Sequence, residues 1–182
     1  MPTVYSDTCV ERLAASLANA WFTRNALLFN LPDIGGGVPS AATLWLYCQA
    51  YTQPLNLSWA LKQGAGWDES SDLATLNALS GDALGSGSLA ASISEWVSFD
   101  ITGDATKGII KAYADSASQV TILLDAPDTT PTTVGAVLGL GETTVVQTWH
   151  DFLEPGDLGY EPYLEIVYSG GVQWCGAVPV KL

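Results

Sequence analysis

Basic residues are scarce in this chain. Six Lys and Arg stand against 19 Asp and Glu, a formal net charge of −13. Phosphate recognition draws on clustered Lys and Arg, and no stretch supplies a cluster, so nucleic acid and anionic membrane surfaces are excluded as partners. Histidine is scarcer still, with His150 standing alone. Cysteine is limited to Cys9, Cys48 and Cys175. These lie far apart, whereas a zinc site needs paired Cys or His at short spacing. The odd count reads as free thiols of a protein made in a reducing cytoplasm. No apolar run reaches the roughly 18 residues of a membrane span. Residues 1–7 lack the basic start and apolar stretch of a secretory signal, so export is not expected.

What is present is apolar. Hydrophobic residues make up 48% of 182 and charged ones only 14%. That length suits one well-buried domain, with apolar surface covered by a core or by neighbours.

Period-two alternation recurs along the chain and predicts strands. Over 42–50, Leu44, Leu46 and Cys48 oppose Trp45, Tyr47 and Gln49. Over 55–62, Leu55, Leu57, Trp59 and Leu61 share one face. Over 96–102, Val97, Phe99 and Ile101 oppose Trp96, Ser98 and Asp100. Residues 26–31, 143–149 and 163–168 add strands, and the apolar run Val120–Leu124 reads as a central one. Gly, Pro, Ser and Asp punctuate the intervals. One helix is expected over 104–114, capped by Asp104, with Ile109, Ile110 and Tyr113 on its stripe and Gly108 weakening it. A second short helical turn fits within 68–79. The N-terminal stretch reads two ways: a helix with Thr8 and Glu11 as a capping box and Val10, Leu13, Leu17 and Trp21 as its stripe, or an opening strand over 4–10. The fold class expected is all-β, a two-sheet antiparallel sandwich of jelly-roll-like character with one short helix. Leu44, Leu46, Leu57, Trp59, Phe99, Ile101, Ile122, Leu124, Leu164 and Ile166 are its expected core. The sandwich is expected over residues 1–169. Ser169-Gly170-Gly171 then reads as a hinge to an apolar C-terminal arm, 170–182, carrying Val172, Trp174, Val178, Val180 and Leu182.

Several segments carry a recurring set of motifs in order: residues 6–10, Leu27–Pro32 with Ser40–Tyr47, Gly66-Trp67-Asp68-Glu69-Ser70, Trp96-Val97-Ser98-Phe99-Asp100-Ile101-Thr102 and Pro162–Tyr168. Together they resemble the DNRLRE family of β-sandwich modules, relatives of carbohydrate-binding modules on polysaccharide lyases and cell-wall proteins. The likeness spans roughly 6–169. Asn30 stands where the family prefers Asp and Glu161 where Arg is common, and 172–182 lie outside it. The resemblance implies the sandwich; its motifs are core and turn residues that mark no ligand site.

Candidate chemistry is sparse. His150 beside Asp151 is the one histidine available as a general base, and a lone His beside an acid is more often a surface or satisfied residue. Paired carboxylates for glycoside cleavage are the other option, but the 19 acids sit singly in loops and nothing marks one as buried. No catalytic residue is assigned and no enzymatic activity is expected. Asp151, Glu154 and Asp157, or Asp68, Glu69 and Asp72, present oxygens suited to a structural Ca²⁺. Modules resembling this one often hold such an ion, but the same acids read as solvated turn residues, and no cofactor is assigned. Seven Trp and seven Tyr are the richer signal. Trp45, Tyr47 and Trp96 share outward positions, as a ring-stacking platform for sugars or as a covered second core layer or subunit contact.

Two functions follow as expectations. The first is a non-catalytic structural protein of a large assembly, a capsid or tail decoration protein of a phage or virus. It would form a homo-oligomer, trimer favoured, among neighbouring shell proteins on a virion surface assembled in the host cytoplasm. The alternative is an extracellular carbohydrate-binding or adhesion module that recognises a cell-surface polysaccharide.

Overall fold

The computed structural model describes residues 9–10, 15–17, 20–51, 55–67, 75, 78–89, 92–128, 147–149 and 162–176. The strands are β1 (Cys9–Val10), β2 (Ala15–Leu17), β3 (Ala20–Asn30), β4 (Pro39–Tyr51), β5 (Leu55–Gln63), β6 (Asp82–Leu89), β7 (Ser92–Asp100), β8 (Gln119–Asp128), β9 (Gln147–Trp149), β10 (Tyr163–Tyr168) and β11 (Gly171–Gly176). A helix, α1 (Gly108–Ala114), joins β7 to β8. The first sheet has the order β1-β3-β8-β5-β6, with β2 also on β3; the second has the order β11-β10-β4-β7, with β9 also on β4. Every pairing is antiparallel. The chain crosses between the sheets after β3, β4, β6, β7 and β8, and the result is the expected all-β, two-sheet antiparallel sandwich. Where the N-terminal stretch is described, β1, β2 and the start of β3 take the place of the helical alternative.

The core follows from alternation. Strand side chains point to opposite faces in turn, so registered apolar residues stack in rows across each sheet. Leu27, Ile122 and Leu61 form one row of the first sheet. Leu164, Leu44 and Phe99 form one row of the second. All six are buried and belong to the same cluster. Nine of the ten expected core residues are buried. The tenth, Trp59, is only half-buried at the rim. Its indole Nε1 needs an acceptor and donates to the Asp100 carbonyl at 2.8 Å, while its ring stands edge-on to Phe99 at 5.2 Å. A polar edge of this kind is satisfied at the margin of a core more cheaply than inside it.

The first sheet is covered on its other face too. Ala26, Leu28 and Leu123 point away from the main core onto Trp67 and Leu79. Trp67 Nε1 donates to Thr121 Oγ1 at 3.1 Å, and that fully buried hydroxyl donates to the Gly64 carbonyl at 2.7 Å. This double burial explains why Val120–Leu124 in the central strand β8 is apolar on both faces apart from Thr121, whose hydroxyl is hydrogen-bonded.

The helix differs from its sequence reading. It begins at Gly108, and Asp104 does not cap it. Asp104 Oδ1 instead accepts from the Thr106 amide at 2.7 Å and the Thr106 hydroxyl at 2.6 Å, within its own turn. The helix is anchored through its backbone: the Ile109 and Ile110 amides donate to the Ile101 and Thr102 carbonyls. Its buried side chains are Ile109 and Ala112, whereas Ile110 and Tyr113 are only partly buried. The helix ends with Ser116 in the left-handed region and the Ala117 amide donating to the Ala112 carbonyl, a Schellman closure.

Tyr113 donates its hydroxyl to the Pro32 carbonyl at 2.8 Å. Burial, chiefly, raises its pKa from 10.0 to about 12, with Cys175, Asp33 and Tyr168 adding to the shift. A phenol whose folded pKa exceeds the unfolded value contributes stability fully below the unfolded value and loses it as pH rises through the folded one. Denaturant midpoints are therefore expected to fall between pH 10 and about 12, and Tyr113→Phe should flatten that alkaline limb. An unchanged limb in Tyr113→Phe would assign it to another group.

The segment expected to leave the sandwich as an arm returns to it. Ser169 and Gly170 form the turn of a hairpin, and β11 pairs with β10 from Tyr168↔Gly171 to Tyr163↔Gly176. Val172 and Trp174 thus lie in the chain's own second sheet. A Gly-containing two-residue loop between alternating segments closes a hairpin as readily as it makes a hinge. Val178, Val180 and Leu182 lie outside the described residues.

Candidate functional site: an aromatic face on the second sheet

The outer face of the second sheet follows from the alternation that builds its core. With Leu44 and Leu46 inward, Trp45 faces outward on β4. With Phe99 inward, Trp96 and Ser98 face outward on β7. With Leu164 and Ile166 inward, Tyr163 and Glu165 face outward on β10. Antiparallel register places Tyr163 beside Trp45, and Glu165 between Thr43 and Trp174.

Tyr163 is the hub. Its ring stacks on Trp45 with centroids 6.2 Å apart and planes at 21°. Trp96 meets it edge-on at 5.2 Å, and Trp174 is tilted against it at 5.5 Å. Trp45, Trp96 and Tyr163 are partly buried, and Trp174 is 59% exposed. Trp45 Nε1 donates to Glu165 Oε2 at 3.0 Å, which fixes both the indole and the carboxylate. Burial, and secondarily the Glu165 charge, raises the Tyr163 pKa above its usual value. Four aromatic rings, one of them a phenol, and a fixed carboxylate thus form one partly exposed surface across β7, β4, β10 and β11. Such a surface offers flat apolar area with hydrogen-bonding groups at its margin.

Two of the three sequence-assigned platform residues, Trp45 and Trp96, are brought together through Tyr163. Tyr47 is registered opposite Trp96, and its side chain lies outside the described residues. Sequence reasoning missed Tyr163 and Glu165, and it placed Trp174 on an assembly arm rather than on this face. The alternation of 163–168 against Leu164 and Ile166 signals the first two. Trp174 was hidden by reading Gly170-Gly171 as a hinge.

Other candidates stand apart. His150, Asp151, Glu154, Asp157, Asp68, Glu69 and Asp72 lie outside the described residues. Among the described residues no group of three or more His, Cys, Asp or Glu is placed to hold a metal. Cys175 is a free thiol whose pKa burial raises to about 11. A separate cleft of about 540 Å³ lies between the β3–β4 loop and α1, lined by Ile34, Val38, Ile110, Tyr113 and Ala117 among others. No protein-family model matches this chain, and no curated protein matches it.

Proposed function

We propose that this chain is a non-catalytic structural protein of a large assembly, a capsid or tail decoration protein of a virus particle, and that it works by surface contact through its aromatic face. The observation that carries the reading is the Tyr163 hub with Trp45, Trp96 and the exposed Trp174. A contiguous aromatic patch on a chain with so few charges marks an interaction surface. In a crowded shell a neighbouring subunit would cover it, while the net charge of −13 keeps the remaining surface soluble. Immunogold labelling of particles from the source sample tests the reading. Label on the particle surface is expected, and label confined to the soluble fraction would contradict it.

A second reading, a carbohydrate-binding or adhesion module, is favoured by one specific feature. Glu165 is held beside the rings by Trp45, and a ring platform with an adjacent fixed acceptor matches what a pyranose presents, an apolar face rimmed by hydroxyls. Soluble polysaccharides should then quench tryptophan fluorescence, and Trp45→Ala or Trp96→Ala should remove the response. A glycan array without a binder would count against it.

A further inference from the structure

Among the described strands β11 is one edge of the second sheet, and its composition sets it apart from the other edges. An unpaired edge strand invites another chain, and proteins blunt such edges with charge, proline or shortness. The opposite edge, β7, carries exposed Glu95 and Asp100, and β6 in the first sheet carries exposed Asp82. β1, β2 and β9 are only two or three residues long. β11 spans six residues, Gly171-Val172-Gln173-Trp174-Cys175-Gly176, with no charge and no proline. It also displays Val172 at 43% and Trp174 at 59% exposure.

We propose that β11 pairs with β11 of a second copy of this chain, antiparallel about a two-fold axis, and joins the two second sheets into one. Charge selects this edge for self-contact. A chain of net charge −13 repels its own copy wherever carboxylates meet, and β11 is the long edge without them. Among the described residues the nearest outward carboxylate, Glu165, sits one strand in. Across β10, β11 and their copies the two Glu165 side chains stand three strand spacings and about two residue rises apart, about 16 Å. That exceeds the screening length of about 8 Å at physiological salt.

Side-chain alternation restricts the register. Residues directly opposite on antiparallel strands share a face, so the outward Val172 must meet an outward residue. Centring the axis on Gln173 sets Val172 against Trp174 of the second copy, and symmetry makes the pair twice. Aromatic and β-branched residues are favourable cross-strand partners. A two-fold axis normal to the sheet keeps both aromatic faces on the same side, so pairing doubles the contact surface, which favours multivalent attachment.

Sedimentation velocity on the full chain tests the proposal. The expected species has twice the monomer mass of 19.2 kDa, with association strengthened by salt. Val172→Asp places a carboxylate at each contact, and like charges there should weaken self-association by about 100-fold or more. Gln173→Cys should give a covalent dimer under mild oxidation, because directly opposed residues lie within disulfide reach. A monomer at every soluble concentration, a trimer, or a dimer indifferent to Val172→Asp would overturn the proposal. If Val172→Asp does not fold, the cysteine variant decides, and failure to cross-link overturns it. Val172 lies outside the Tyr163 cluster, so a Val172→Asp monomer that still binds through its aromatic face separates this inference from the functional reading.

Discussion

Replacing Gly108 with alanine is expected to destabilise the protein by about 2–5 kcal/mol, although glycine-to-alanine changes in helices usually stabilise by about 1 kcal/mol. Gly108 begins α1 at φ +75°, and a Cβ there would meet Gly103 Cα and the Thr102 carbonyl oxygen at 2.7 Å each. The obstacle is backbone, not a side chain that can swing aside. Gly103 is its counterpart at φ +69°. The glycine pair lets the chain fold back on itself so that the Ile109 and Ile110 amides reach the Ile101 and Thr102 carbonyls. An alanine must adopt left-handed backbone and also push these hydrogen-bonded segments apart. The loss is a large share of the roughly 5–15 kcal/mol that holds a domain together. Urea unfolding at unchanged slope is the appropriate measurement. An unchanged or raised midpoint would show that the close approach is not needed.

The second large effect falls on binding. Tyr163→Ala is expected to weaken attachment to the partner by at least about 100-fold, close to 3 kcal/mol, while the fold persists because the ring lies on the outer face. Tyr163 touches all three indoles, so its removal releases each of them rather than trimming one contact. Tyr163→Phe keeps the rings in place and should retain most of the affinity; its residual loss reports the hydroxyl. An alanine variant that binds as tightly as the native chain would remove the aromatic face from the account, whichever partner is used.

The sandwich was legible in the sequence wherever one face of a strand is buried and the other is not. Leu44 and Leu46 against Trp45, and Phe99 against Ser98, alternate because burial of one face leaves its signature at every second position. The same logic placed Trp45 and Trp96 outward. It failed where local sequence permits two outcomes and a distant partner decides. Ser169-Gly170-Gly171 serves a hinge or a hairpin equally well, and the row of outward positions on β10 settles it by giving Trp174 a partner in Tyr163. Asp104 has the chemistry of a helix cap but satisfies Thr106 instead, because the helix start is set by its backbone bonds to residues 101 and 102. Trp67 looks like a turn residue until its indole is seen against Thr121, 54 positions away. The aromatic hub was half visible for the same reason: alternation tells which way a ring points, and only the strand order tells which rings meet.

Hydroxyl-radical footprinting of the chain, alone and bound to its particle or polysaccharide partner, tests the central claim most directly. The account predicts that Trp174, Trp45 and Trp96 become protected together on binding, while the exposed Val38 at the cleft beside α1 keeps its reactivity. Protection confined to that cleft, with the three indoles as reactive as in the free chain, would contradict it.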